Sequence, residues 1–182
     1  MRRTLTFTCE NKTLGATLDE ATGQSGLLIV SGGNEIRIGA HRGMAMLARG
    51  IAAAGHPVFR FDRRGIGDSD GENGEFISSG PDIVSAIAAF RTQCPQLKRI
   101  VAFGNCDAAS ALVMRGVVGL DALVLANPWV VERTDDMPAP AAIRARYVER
   151  LKDPKAWIGL FTGAINLKKL AREVIELMPE LP

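Results

Sequence analysis

The sequence predicts an α/β fold built on a doubly wound, mainly parallel sheet with helices on both faces. Three continuous apolar runs, at residues 26–30, 99–103 and 122–126, are typical of strands that are buried on both sides. Segments with the apolar spacing of amphipathic helices separate these runs. Alternation of strands and helices at this spacing is typical of βαβ units, whose right-handed crossovers produce a doubly wound sheet.

The chain begins with a predicted hairpin. Residues 3–9 alternate between apolar and polar side chains, and residues 14–19 can form a second strand joined to the first through Asn11 and Lys12. The first buried run, residues 26–30, is the next predicted strand along the chain.

The middle of the chain repeats a strand-and-helix unit. Residues 41–54 have apolar side chains at helical spacing, and Gly55 ends the predicted helix. A short strand at 58–61 leads into a glycine-rich loop. A second helix is predicted over 81–92, where Pro81 suits the first turn.

The last predicted strand marks a change in the character of the chain. A short helix is predicted over 107–115, before the run at 122–126, and no further buried strand follows that run. We therefore divide the chain into an α/β core, residues 1–130, and a helical cap segment, residues 131–182. Helices or helical turns are predicted within the cap at residues 138–150, 153–163 and 166–178.

Composition and charge exclude several classes of protein. The 182 residues suffice for one domain with a buried core, and 47% hydrophobic with 23% charged residues is an ordinary globular composition. A net charge of +2 provides no electrostatic reason to expect nucleic acid as a partner. No apolar run approaches the roughly 18 residues of a membrane span, and the start of the chain lacks the apolar stretch of a signal peptide. The expected location is therefore the cytoplasm.

No cofactor and no metal ion is expected. The sequence contains neither GxGxxG nor GxxxxGK(S/T), and no spacing of His, Cys, Asp or Glu indicates a metal site. The three cysteines are widely spaced and form no disulfide framework. Each is expected to be a free thiol in a reducing compartment: Cys9, Cys94 and Cys106.

The strongest chemical signal is Gly104-Asn105-Cys106-Asp107-Ala108, which follows one predicted strand and opens a predicted helix. This is the setting of a nucleophile elbow, in which Gly104 and Ala108 are the small residues that a tight strand-to-helix turn needs. A thiol at a helix N-terminus is favoured as the thiolate by the helix dipole and the free N–H groups. The alternative is a small buried cysteine in a structural turn.

A glycine-containing loop follows the first buried strand, at Ser31-Gly32-Gly33-Asn34. In a doubly wound sheet, functional loops lie at the carboxyl ends of the strands. A Gly-Gly turn at that edge can aim backbone N–H groups inward, and with the N–H of Asp107 such donors would form an oxyanion hole. The alternative is a plain strand-to-helix turn.

A second glycine-rich loop follows the strand at 58–61. Its glycines permit left-handed backbone conformations, and Asp62 and Arg64 are predicted to pair and so fix the shape of the loop. A bare polar loop is the alternative interpretation. The residues assigned to this motif are Asp62, Arg64, Gly65, Gly67 and Ser69.

Four stretches together carry a resemblance to a known family. They are SGGNEIRIGAHRG (31–43), FRFDRRGIGDSDG (59–71), FGNCDAASAL (103–112) and LVLANPWV (123–130). In order and in type they resemble the α/β-hydrolase superfamily, and within it they are similar to the exosortase A system-associated hydrolases of the first type. The resemblance covers about residues 1–175 and implies a sheet of the α/β-hydrolase type.

The resemblance also implies roles for individual residues. Cys106 would take the nucleophile position, and the N–H groups of Gly33 and Asp107 would form the oxyanion hole. His41 belongs to the matching GAHRG stretch. Its predicted position at the same sheet edge as Cys106, rather than the resemblance, makes it a candidate surrogate base. The implied protein is a hydrolase encoded with exopolysaccharide and exosortase systems in Gram-negative bacteria, acting on a small-molecule or acyl substrate.

The chain departs from the superfamily in the order of its catalytic residues. The superfamily places the nucleophile before the acid and the histidine, whereas His41 and His56 both precede Cys106. We therefore expect that the sequence stops within the cap, and that the strand at 122–126 is an apolar sheet edge open to self-association. Two functions stay open: an ester or thioester hydrolase or acyltransferase with a Cys106 acyl-enzyme, or a catalytically inactive truncated remnant or binding module.

Overall fold

The computed structural model describes residues 1–114 and 118–129, and the predicted cap segment at 131–182 lies outside them. The strands within these residues are β1 (Arg2–Cys9), β2 (Lys12–Asp19), β3 (Ser25–Val30), β4 (Val58–Phe61), β5 (Arg99–Asn105) and β6 (Ala122–Ala126). The helices are α1 (Gly43–Ala53), α2 (Gly80–Gln93) and α3 (Asp107–Met114), with short 3-10 turns at Ala40–Arg42 and Phe76–Ser78.

The six strands form one sheet in the order β1-β2-β4-β3-β5-β6. β1 pairs with β2, and β2 with β4, in antiparallel fashion. β3 lies parallel to both β4 and β5, and β6 lies parallel to β5. The predicted α/β fold with a mainly parallel sheet is therefore confirmed for the described part of the chain.

The predicted hairpin is present, but its turn lies one residue earlier than expected. Glu10 and Asn11 join β1 to β2, and both have left-handed backbone conformations, with φ of 46° and 64°. Two residues of positive φ match the right-handed twist of the flanking strands. Lys12, predicted to lie in the turn, is instead the first residue of β2 and pairs with Cys9.

Helices cover both faces of the sheet. Because neighbouring side chains of a strand point to opposite faces, each central strand contributes to an apolar cluster on either side. On β4, Phe59 belongs to the core formed with α2, and its ring stacks on Phe90 with centroids 5.4 Å apart. Its neighbour Val58 belongs to a second apolar cluster, with Ala48 of α1. Burial on both faces explains why the central strands consist of continuous apolar runs.

The parallel arrangement of β4, β3 and β5 places the loops that follow them at one edge of the sheet, which we call the carboxyl edge. The loops there are residues 31–39 after β3, residues 62–75 after β4, and the junction between β5 and α3. This is the edge at which α/β sheets bind ligands. No helix among the described residues is long and apolar enough to cross a membrane.

Candidate active site

Cys106 is the single residue between the last residue of β5 and the first residue of α3. Its backbone is left-handed, with φ of 58°. A non-glycine residue in this region is strained by about 1–3 kcal/mol, and such residues cluster at active sites. The sequence-predicted strand, turn and helix around Cys106 are all present, so the local backbone has the form of a nucleophile elbow.

The two small residues of the predicted elbow are in close contact. A Cβ on Gly104 would lie 2.8 Å from the Leu112 side chain and 2.9 Å from the backbone of Ala108. Ala108 itself is fully buried. Any larger residue at position 104 would push α3 away from β5, which is the steric reason for a glycine two residues before the strained residue.

The backbone of the elbow is also bound to the segment that follows β6. The Cys106 N–H donates to the carbonyl of Ala126 at 3.0 Å, and the Cys106 carbonyl accepts from Ala109 N–H at 3.1 Å and Trp129 N–H at 3.2 Å. The Ser110 hydroxyl donates to the carbonyl of Trp129. Cys106 is therefore bound both to its own helix and to the segment at the end of β6. These hydrogen bonds stabilise the strained conformation.

The three thiols differ in exposure. Cys9 and Cys94 are buried, whereas the Cys106 side chain is half-buried. Burial raises the pKa of the Cys9 thiol, and the neighbouring Asp82 carboxylate raises it further; burial also raises the pKa of the Cys94 thiol. Both buried thiols are therefore held in the neutral, unreactive form.

The N–H of Asp107, at the first position of α3, has no acceptor among the described residues. Its carboxylate, in contrast, turns back over the loop after β3. Asp107 Oδ1 accepts a hydrogen bond of 2.5 Å from the N–H of Gly33, and Asp107 Oδ2 forms an ion pair with Arg63 at 3.1 Å. The N–H of Gly33, one of the two predicted oxyanion donors, is therefore already occupied by a side chain of the elbow.

Arg63 is a buried part of this site that the sequence analysis did not identify. Its guanidinium donates to the Gly33 carbonyl at 2.5 Å and to the Ser79 hydroxyl at 3.0 Å, in addition to its pairing with Asp107. The side chain is 2% exposed, and its Nε has no acceptor among the described residues. The motif FDRRG contains two adjacent arginines. This pair is the sequence feature from which a buried arginine at the site could have been predicted.

The predicted pairing of Asp62 with Arg64 is wrong. The Asp62 carboxylate is fully buried and pairs with Arg37, whose backbone N–H also donates to Asp62 Oδ1 at 2.5 Å. The N–H of Asp68 donates to Asp62 Oδ2 at 3.1 Å. Asp62 therefore joins its own loop to the loop after β3, because Arg37 reaches it from that neighbouring loop.

Arg64 points away from Asp62 and fixes a different contact. Its Nε donates to Asp82 Oδ1 at 2.6 Å, its backbone N–H donates to Asp82 Oδ2 at 3.0 Å, and its Nη1 pairs with Glu10 at 2.6 Å. Asp82 lies in the first turn of α2 and is buried. Arg64 thus connects the loop to α2 and to the β1–β2 turn.

The other residues of this motif shape the loop as the sequence indicated. Gly65 and Gly67 have left-handed backbones, with φ of 68° and 56°. A Cβ on Gly67 would overlap Asp62 Oδ2. The Ser69 hydroxyl donates to the Asp62 carbonyl at 2.7 Å and accepts from the N–H of Gly15 at 3.0 Å, which binds the loop to β2.

No protein-family model matches the chain, and no curated protein sequence matches it. Solved structures do match. The esterase Pf2001 of Pyrococcus furiosus is 19% identical, with a TM-score of 0.62 over 70% of this chain and 51% of the esterase. The α/β hydrolase GrgF of Penicillium sp. sh18 is 20% identical, with a TM-score of 0.65 over 83% of this chain and 54% of that protein.

The described core has the α/β-hydrolase fold. A further match is XC6422 of Xanthomonas campestris, described as an α/β serine hydrolase without a lid, at 17% identity and a TM-score of 0.56 over 68% of this chain and 60% of that chain. The present chain spans about half the length of the first two structures. At these identities the likeness concerns the fold.

Within this α/β-hydrolase core, His41 lies at the same edge as the elbow but is not bound to it. It is exposed, has a left-handed backbone with φ of 51°, and forms no side-chain hydrogen bond with any described residue, Cys106 included. Arg42 is also left-handed, with φ of 63°, and α1 therefore begins at Gly43 rather than at position 41 as predicted. In the described part of the chain, no group of His, Cys, Asp and Glu residues could hold a metal ion.

Proposed function

We propose that the chain acts as an ester or thioester hydrolase, or as an acyltransferase, through a covalent acyl group on Cys106. The observation that supports this function best is the left-handed backbone of Cys106 at the junction of β5 and α3, packed on Gly104. This conformation presents one side chain above the carboxyl edge of the sheet, and the residue presented is the least buried thiol of the three.

In the proposed acylation, the thiolate of Cys106 attacks the carbonyl carbon of the substrate. A carbon–sulfur bond forms and the carbonyl electron pair moves to the oxygen, which the N–H of Asp107 and, when free, the N–H of Gly33 would stabilise. Collapse of this tetrahedral intermediate breaks the bond to the alcohol or thiol leaving group, which departs with the electron pair and takes a proton from solvent. Transfer of the acyl group to water or to another acceptor restores Cys106.

The proton of the Cys106 thiol is assigned to solvent in this proposal, with His41 as the alternative acceptor. A cysteine depends on a base less than a serine does, because a few per cent of a free thiol is ionised at neutral pH. The exposed position of His41 favours the first route. Replacement of His41 separates the two routes, as described in the Discussion.

Mass spectrometry of the purified chain after incubation with p-nitrophenyl acetate tests the proposal. We expect one acetyl group on the peptide that contains Cys106, with release of p-nitrophenolate, and no acetylation at this position in Cys106→Ala. Cys94→Ala, which removes a buried thiol, is the matched control and should be acylated as the natural chain is. A folded chain that is never acylated at Cys106 would contradict the proposal and favour the non-catalytic binding module.

We also propose, from the four stretches that resemble the exosortase A system-associated hydrolases, that the acyl substrate belongs to exopolysaccharide metabolism in the cytoplasm. Deletion of the gene in its host, followed by measurement of the amount and acyl content of secreted exopolysaccharide, tests this association. Complementation with the natural gene but not with Cys106→Ala is the expected result. Unchanged exopolysaccharide after deletion would contradict it.

A further inference from the structure

The carboxylate of Asp107 occupies a position that the proposed chemistry needs for the substrate. It accepts the N–H of Gly33 at 2.5 Å, and this N–H is one of the two donors assigned to the oxyanion of the acylation step. A backbone N–H has a single hydrogen to donate. While Asp107 holds this hydrogen, Gly33 cannot donate it to a substrate oxygen.

The carboxylate is held in place from its other side. Arg63, which is 2% exposed, donates to Asp107 Oδ2 at 3.1 Å and to the Gly33 carbonyl at 2.5 Å. The guanidinium therefore contacts both partners of the Gly33–Asp107 hydrogen bond. A Cβ on Gly32 would overlap the Asn105 carbonyl oxygen and lie 3.0 Å from Asp107 Oδ1, so a glycine at position 32 allows the loop to approach the elbow and this carboxylate closely.

We propose that the Asp107 carboxylate is an internal gate of the oxyanion site, which must leave Gly33 before the substrate oxyanion can be bound there. This inference rests on the proposed function, because it concerns the acylation of Cys106. The gate lowers the rate for two reasons: it occupies one donor, and its negative charge opposes the charge that develops on the substrate oxygen. When the carboxylate leaves, the N–H groups of Gly33 and Asp107 are both free to donate to the substrate oxygen.

The test compares two reactions of the same thiol. Acetylation by p-nitrophenyl acetate passes through an oxyanion, whereas alkylation by iodoacetamide displaces iodide without one. The ratio of the two rates at Cys106 therefore reports the oxyanion site and cancels changes in thiol exposure or ionisation. Because loss of one oxyanion donor costs roughly 10²–10³-fold in rate, we expect Asp107→Ala to raise this ratio at least tenfold.

Two further variants keep the test interpretable. Asp107→Asn retains an oxygen that can accept the Gly33 N–H but removes the charge, so its ratio should lie between those of the natural chain and Asp107→Ala. Asp121→Ala is the matched control, because Asp121 Oδ2 also accepts a backbone N–H, that of Ile100 at 2.8 Å, at the opposite end of β5. Its ratio should not change. Circular dichroism confirms that each variant is folded.

The possible outcomes distinguish failure of the gate from failure of the proposed function. An unchanged or lower ratio in folded Asp107→Ala or Asp107→Asn would overturn the gate while leaving Cys106 acylation, and hence the proposed function, intact. An equal rise of both rates would also overturn the gate, since it would show a change in access or ionisation alone. Alkylation of Cys106 without acetylation in the natural chain and in every variant would overturn both the gate and the proposed function.

Discussion

Asp62 and Asp107 are both carboxylates at the carboxyl edge of the sheet, and each is bound by one arginine and by backbone N–H groups. The Asp62 side chain is fully buried and accepts from Arg37 twice and from the N–H of Asp68. The Asp107 side chain is 13% exposed and accepts from Gly33 and Arg63. The Asp62 carboxylate is thus the more enclosed of the two and accepts three hydrogen bonds, whereas the Asp107 carboxylate accepts two; in each ion pair one side chain, Arg37 or Asp107, is 13% exposed.

The cluster around each aspartate contains a buried arginine whose Nε has no acceptor among the described residues: Arg60, which donates to the Arg37 carbonyl at 2.6 Å, and Arg63. The Asp107 cluster differs in that the N–H of Asp107, next to Cys106, also has no acceptor among the described residues. Free N–H groups at the start of a helix are suited to binding negative charge. We infer that the Asp62 cluster maintains the loop and that the Asp107 cluster is available for chemistry.

The largest expected effect separates the two aspartates by stability. Asp62→Asn removes the charge from a fully buried carboxylate that accepts three hydrogen bonds, and we expect the free energy of unfolding to fall by about 3–5 kcal/mol. Asp107→Asn removes the charge from a carboxylate that accepts two hydrogen bonds and is 13% exposed, and should lower the free energy of unfolding by about 1–3 kcal/mol. Urea unfolding of the natural chain and both variants measures the difference. Equal losses would show that the two clusters are not distinct in the way described.

A second comparison uses two glycines, one from each cluster. Gly67 and Gly33 have almost the same left-handed conformation, with φ of 56° and 54°, but a Cβ on Gly67 overlaps Asp62 while a Cβ on Gly33 meets nothing within 4 Å. Gly33→Ala should therefore cost only the backbone strain, about 1 kcal/mol. Gly67→Ala should cost about 2–3 kcal/mol because it adds overpacking to that strain. Thermal unfolding of both variants provides the measurement. A larger loss of stability in Gly33→Ala than in Gly67→Ala would contradict the space that the structure shows around Gly33.

The reactivity of the three thiols tests whether the elbow is accessible. We expect iodoacetamide to label Cys106 at least tenfold faster than Cys9 or Cys94 in the folded chain, because Cys106 is half-buried and the other two are buried. Burial raises the pKa of both of these thiols, so their labelling should become appreciable only as the pH rises above the ordinary range for cysteine. Peptide mapping of briefly labelled protein at several pH values measures this order. Faster labelling of Cys9 in folded protein would contradict the assignment of the elbow.

The smallest expected effect concerns His41. A general base contributes about 10²–10⁴-fold to a rate, but His41 is exposed and its side chain forms no hydrogen bond with a described residue of the elbow. We therefore expect His41→Ala to change the rate of Cys106 acetylation less than about twofold. His56→Ala, at another exposed histidine, is the matched control. A loss of 100-fold or more in His41→Ala alone would establish His41 as the base and replace the route through solvent.

The strands and the elbow could be predicted from the sequence because local patterns determine them. The continuous apolar runs reflect burial on both faces of a parallel sheet. The Gly104-to-Ala108 pattern reflects contacts of Gly104 with residues four and eight positions later in the chain, Ala108 and Leu112. The strand pattern requires only that some apolar layer covers each face of the sheet. The elbow pattern depends on residues that are close together in the chain.

The pairing of side chains could not be predicted in the same way. Asp62 was assigned to Arg64, two residues away, but its partner is Arg37, which the loop after β3 delivers from 25 residues earlier in the chain. The contact between Asp107 and Gly33 likewise joins residues 74 positions apart. The sequence contains several arginines with which each carboxylate could pair. The packing of the loops at the carboxyl edge determines which of them it contacts.

The hydrogen bonds between the elbow and Trp129 have an optical consequence. Both the N–H and the carbonyl of Trp129 are bound to the elbow, through the Cys106 carbonyl and the Ser110 hydroxyl, while its side chain is 49% exposed. A shift of the Cys106 backbone is therefore transmitted to an indole ring at the boundary between protein and water, where its emission wavelength depends on small changes in hydration. In a Trp157→Phe variant, which leaves Trp129 as the single tryptophan, the emission should therefore follow occupancy of the Cys106 thiol without any label attached.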